Sequence, residues 1–134
     1  MTTTLGSIML ASTDPDRLHS WYTAVLPPDT DDKQDPYHIL GYGGFYLFLD
    51  SRDDVGGKTA EPGRVLLNFD VDDARAVAVR VDEAGGQWLA PLEDRDGSLF
   101  ATAIDPDGNY VQMIQLSEEH RVQMSQQTTQ QAGS

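Results

Sequence analysis

The chain has no cysteine, which removes disulfides and thiolate metal sites at once. Basic residues are scarce: 9 Lys and Arg stand against 22 Asp and Glu, for a formal charge of −13. A field of that sign repels phosphate backbones, so nucleic acid is not expected as a partner, while a cationic ligand would concentrate near it. Solubility alone also accounts for such a surface. No apolar run approaches the roughly 20 residues that cross a bilayer, so no membrane partner is expected. The opening MTTTLGSIML lacks both the basic region and the long apolar core of a secretory leader, and a cytoplasmic protein is the expectation. Histidine is rare as well: His19, His38 and His120 are the full set, they show no i, i+4 ligand spacing, and each reads as a surface or packing histidine.

What is present is a chain of 134 residues, enough for one compact domain with a real core. Residues 5–11, LGSIMLA, read as a strand. In STDPDRLHSWYTAVLPP, Asp14 suits a helix cap and Pro15 the first helical position. Leu18, Trp21, Tyr22, Val25 and Leu26 make one apolar stripe, and Pro27-Pro28 end the helix. DTDDKQDP reads as a charged loop, and YHILGYGGFYLFLD as a hairpin turning near Gly43-Gly44. A polar connector, residues 50–63, follows. The pattern then restarts: RVLLNFDV as a strand, DDARAVAVRVDEAGG as a helix capped by Asp72 or Asp73 and stopped by Gly85, and QWLAPL, SLFATAI and NYVQMIQL as three more strands. The order strand, helix, strands therefore occurs twice, and each half is too small to bury both sheet faces alone. Residues 117–134 form a polar, Gln-rich tail, too poor in apolar groups to offset its ordering entropy, although Ser117 can cap a helix running to Gln126.

In DPDGN, Pro106 presets φ for the second turn position and Gly108 takes the left-handed one. Turns of every kind use such a string. The combination is more specific: a strand leading into DPDRLHSWYTAVL, a second strand leading into VDDARAVAVRVDEAGG, and AIDPDGNYVQMIQ closing the domain. Over roughly residues 5–116 this resembles the vicinal oxygen chelate superfamily, the glyoxalase/bleomycin-resistance/dioxygenase proteins. Pro27-Pro28 stands where relatives usually have a glycine. The resemblance implies an α+β fold of two βαβββ modules, about residues 5–50 and 64–116, forming an open barrel-like sheet around a ligand cavity within a domain of residues 1–116. It also implies a homodimer.

In the enzymes of that superfamily four inward side chains hold a divalent metal. Carried onto this chain, those positions fall at Ser7, near Phe48, at Leu66 and at Gln112. None is a good ligand: Gln112 keeps the shape of Glu without its anionic oxygens, and a leucine and a phenylalanine supply nothing. The expectation is therefore no metal and no cofactor. Strand alternation adds Met9, Tyr46, Asn68, Asp70, Tyr110 and Ile114 to the cavity side, and turns Ile8, Leu10, Leu47, Leu49, Leu67, Phe69, Val111 and Met113 toward the helices. Apolar walls, aromatic faces and two amides suit a small organic ligand, cationic or aromatic. The plain alternative is a collapsed cavity filled by Phe48 and Leu66. The function expected is metal-free small-molecule binding of the bleomycin-resistance type, such as drug sequestration. The competing reading is a lyase, isomerase or dioxygenase, for which Asp70 is the one cavity-side carboxylate to nominate as a base.

Overall fold

The computed structural model describes residues 2–132, with side chains described as far as Gln126. It divides into two compact units, one formed by the chain up to Arg64 together with Asp105–Asn109, the other by Val65–Ile104 and the chain from Tyr110 onward.

The first unit contains β1 (Ser7–Ser12), α1 (Pro15–Val25), β2 (Thr30–Gln34), β3 (Tyr37–Tyr42) and β4 (Phe45–Ser51). Asp14 caps α1, its side chain accepting from Arg17 N at 3.2 Å, and Pro15 opens the helix. The apolar stripe behaves as its spacing requires: Leu18, Trp21, Tyr22, Val25 and Leu26 are all buried, in a core that also holds Leu40, Leu47 and Leu49. The sheet runs β1-β4-β3-β2, with β1 parallel to β4 and the rest antiparallel.

One local reading is corrected. The stretch read as a charged loop contains a strand, Thr30–Gln34, every residue of which is exposed. It lies at the edge of the sheet and is held by its backbone ladder to β3. No apolar alternation announces a strand with no buried face, and its charges suit an edge that must not recruit another chain.

The second unit contains β5 (Leu66–Asp70), α2 (Ala74–Glu83), β6 (Gln87–Arg95), β7 (Ser98–Ile104), β8 (Tyr110–Gln115) and α3 (Glu118–Ala132), with sheet order β5-β8-β7-β6. Asp73 caps α2 by accepting from Ala76 N at 3.0 Å, and Gln115 Oε1 accepts from Ala74 N at 2.8 Å. Ala74, Val77 and Val81 of the helix are buried, as are Ala101, Ala103, Val111 and Met113 of the sheet. Each unit is thus a βαβββ arrangement whose sheet stays open at both edges.

The tail is more ordered than its composition suggests. Ser117 Oγ accepts from His120 N at 3.1 Å, and the fully buried Ser98 of β7 accepts from Ser117 N at 2.8 Å while hydrogen-bonding His120 Nδ1. These polar contacts fix the first turn of α3 where apolar burial is lacking. Ser98→Ala leaves the Ser117 amide and the His120 ring without that partner and should cost about 1–3 kcal/mol. Hydrogen exchange should then speed up in Glu118–Gln126 while β7 and β8 stay protected.

Candidate functional site

In the first unit α1 packs against β1 and β4. Leu47 and Leu49 face that helix and are buried, so alternation turns Tyr46 and Phe48 to the opposite face. The parallel register sets Ser7 beside Tyr46 and Met9 beside Phe48. These four side chains therefore form one patch. Met9 is 45% and Tyr46 43% exposed, both high for side chains in the interior of paired strands. Tyr37 of β3 meets Phe48 edge-on, with ring centroids 6.0 Å apart.

In the second unit the register sets Leu66 beside Tyr110, Asn68 beside Gln112 and Asp70 beside Ile114. Val111 and Met113 are buried, α2 packs against β8, and the other row faces away: Leu66, Asn68 and Asp70 are exposed, and Tyr110, Gln112 and Ile114 half-buried. Thr102 of β7 lies on the far side of Gln112 in the same register. The expected site residues thus gather in two patches, one in each unit. Neither amide, Asn68 nor Gln112, has a side-chain hydrogen-bond partner among the described residues, so both keep donors and acceptors for a ligand.

The metal positions implied by the resemblance do not fit a metal. Ser7 offers a neutral hydroxyl, Gln112 a neutral amide, and Phe48 and Leu66 hydrocarbon, which is not a donor set for any divalent ion. Among the described residues no group of three or more His, Asp or Glu side chains is placed to hold one.

Two histidines assemble in a way their spacing conceals. His19 of α1 and His38 of β3 stack with centroids 4.3 Å apart. His19 Nε2 contacts Asp31 Oδ1 at 2.9 Å, and His38 Nε2 contacts Asp16 Oδ1 at 2.7 Å. Each ring is committed to a carboxylate, which accounts for a largely buried His38 without a metal. The hydrogen bond from His38, above all, holds the Asp16 carboxyl below its ordinary value. The stability Asp16 adds is therefore present above the usual Asp range and is lost as pH falls through its lowered folded value. In an NMR titration Asp16 should protonate below the ordinary Asp value of about 3.9, and His38→Phe should raise its midpoint toward that value.

The DPDGN turn is wired to the first unit. Asp105 is 2% exposed. Its Oδ2 accepts from Tyr22 Oη at 2.7 Å and Asn109 Nδ2 at 2.9 Å, and its Oδ1 from the amides of Asp107 and Asn109, each at 2.9 Å. Asp107 pairs with Arg17 at 2.8 Å, and Gly108 holds φ +87, the left-handed value the turn was expected to need. Tyr22, read from sequence as core, thus has a second task at its hydroxyl.

A family model described as a glyoxalase-like domain matches residues 7–114. The chain belongs to that family. Solved structures of glyoxalase-like proteins share its fold. FosX, the fosfomycin resistance protein of Mesorhizobium loti, aligns with a TM-score of 0.72 at 18% identity, covering 91% of this chain and 99% of its own. A glyoxalase/bleomycin resistance protein/dioxygenase family enzyme from Burkholderia phytofirmans aligns at 0.68 and 16%, covering 86% and 100%. The oxidase ChaP-H2 aligns at 0.68 and 21%, covering 87% and 96%. At such identities the likeness is one of fold, and chemistry has to be argued from the residues. No curated protein matches the chain by sequence. Among the described residues no helix of this glyoxalase-like chain is long and apolar enough to cross a membrane.

Asp50 is the residue that sequence reasoning passed over. The sequence pattern places it only at the head of the polar connector, residues 50–63. Alternation through FYLFLD sets it in the row of Tyr46 and Phe48, and the register sets it beside Ala11. It is only 8% exposed. The signal was in the sequence: a carboxylate two residues beyond an inward-read phenylalanine.

Proposed function

We propose that this glyoxalase-like protein binds a small organic molecule, cationic or aromatic, without a metal, on a strand face: that of Ser7, Met9, Tyr46 and Phe48 in one unit, or that of Leu66, Asn68, Asp70, Tyr110, Gln112 and Ile114 in the other. Sequestration of a drug-like compound is the biological role that fits. The observation that carries the reading is the replacement of a whole ligand set by hydroxyl, amide and hydrocarbon beside exposed Met9, Tyr46 and Leu66. Such side chains gain little from water and much from an apolar partner. FosX, a protein of the same fold, is a fosfomycin resistance protein, which supports this reading.

We further propose a cytoplasmic homodimer. Sedimentation velocity at micromolar concentration should give about twice the mass of 14.7 kDa, and a monomer would remove the dimer. For the binding reading itself, untagged protein should carry no stoichiometric nickel, zinc, iron or manganese by elemental analysis. Calorimetric titration with cationic and aromatic antibiotics should show saturable binding. Stoichiometric metal, or silence across the whole series, would overturn it.

A further inference from the structure

Gly41 sits inside β3, where a glycine weakens a strand unless something needs its space. Two common reasons for one do not apply. Its φ lies outside the left-handed region, and the ladders to β2 and β4 run through it without a bulge. The register sets it between Thr30 and Tyr46, with Ser7 beyond Tyr46, so it belongs to the ligand face of the first unit. Gly41 is buried all the same, although Tyr37 and Ile39, on that face of the same strand, are only half-buried. Its neighbours cover it. A Cβ built on Gly41 would lie 2.1 Å from Thr30 Oγ1 and 3.4 Å from Tyr46 Cε1. The Tyr46 ring therefore leans over the glycine instead of standing clear of the sheet, and Thr30 closes the far side of the gap. Tyr46 is still 43% exposed, so the part of the ring turned away from the sheet stays open.

We infer that Gly41 is a positioning residue: the gap it leaves sets the Tyr46 ring as a platform on which a planar, conjugated ring of the ligand stacks. A ring already held on one side loses little freedom when a second ring covers the other, so the platform is pre-organised. Offset stacking is the arrangement two such faces favour. A saturated ring of the same size presents axial hydrogens and cannot match that contact. No charge is required of the ligand. This deepens the binding reading above and rests on it, since it selects the aromatic ligand over the cationic one.

Two neutral probes of similar size test the platform on the full chain: 2-naphthylmethanol, which is flat, and its fully saturated decahydro counterpart. By calorimetry the flat probe should bind roughly three- to tenfold more tightly, and by NMR it should move the Tyr46 ring protons upfield. Gly41→Val fills the gap. Valine suits a strand, so the fold should hold, but the ring and Thr30 are pushed aside and the preference for the flat probe should vanish. Thr30→Ala/Gly41→Ala is the control. With Oγ1 gone, the new methyl meets the Tyr46 ring at 3.4 Å and the Cβ of residue 30 at 3.5 Å, an ordinary contact, so the preference should stay. Tyr46→Phe should keep it and Tyr46→Leu lose it. Equal affinity of the two probes, or a preference that survives in folded Gly41→Val or in Tyr46→Leu, would overturn the platform. Shifts at Met9 and Phe48 would then leave the wider binding face standing. Silence of both probes would also overturn the platform, while the antibiotic titration above decides the binding reading separately.

Discussion

Asp105→Ala is expected to destabilise the protein by about 3–5 kcal/mol, the cost of removing one member of a buried charged hydrogen-bond network. Four donors lose their acceptor together: the Tyr22 hydroxyl, the amides of Asp107 and Asn109, and the Asn109 side chain. With Asp105 only 2% exposed, water cannot easily replace it. For a chain of this size about 1 kcal/mol moves Tm by roughly 2–4 °C, so a fall of about 10 °C is the signature in a thermal melt. Tyr22→Phe removes one donor and should cost less, about 1–2 kcal/mol.

The pH dependence of this network has a definite sign. Burial pushes the Asp105 carboxyl above its ordinary value, and the hydrogen bonds from Tyr22, Asn109 and Asp107 pull only part of the way back. Its folded pKa therefore lies above its unfolded one. The folded state holds the proton more tightly, so Asp105's contribution is greatest below the ordinary Asp range and declines as pH rises through the raised folded value. Asp105→Asn should lose that slope. Urea unfolding between pH 3 and 7, compared for the two proteins, reads it directly.

The second large effect separates the two faces of one strand. Leu47→Ala or Leu49→Ala removes a buried side chain beneath α1 and should cost about 2–5 kcal/mol. Tyr46→Ala and Met9→Ala, on the opposite face and nearly half exposed, should each cost less than about 1 kcal/mol. Ligand affinity should show the reverse order. Tyr46→Ala is expected to weaken binding by on the order of tenfold, as loss of a contacting aromatic does. The core variants, once folded, should keep their affinity. If Tyr46→Ala proves as destabilising as Leu47→Ala, the exposed face is core in solution.

The periodic signals were the legible ones. The stripe from Leu18 to Leu26, the cap at Asp14 and the Gly108 turn follow from spacing and turn chemistry and stand as read, and of the two cap choices for α2, Asp72 or Asp73, the structure takes Asp73. The alternation that sorted Leu47 and Leu49 from Tyr46 and Phe48 follows from the pleat. Thr30–Gln34 escaped because a strand with no buried face carries no hydrophobic pattern. The start of α3 was legible as the Ser117 cap, whereas its anchoring to Ser98 of β7 is a tertiary event. The same holds for the His19–His38 stack and for Tyr22 with Asp105, pairs distant in sequence that only the fold brings together. For the site, residue choice was legible from alternation, while the burial of Asp50 depends on how its surroundings close over it.

Protein-observed NMR titration in a chelator, with cationic and aromatic small molecules, tests the central proposal most directly. Metal-free binding predicts saturable shifts that map to Met9, Tyr46 and Phe48 or to Leu66, Asn68 and Gln112, with affinities that do not change when zinc, nickel or manganese replaces the chelator. Shifts that arise only after a divalent ion is added, with that ion coordinated by the side chains of Ser7 or Gln112, would contradict it.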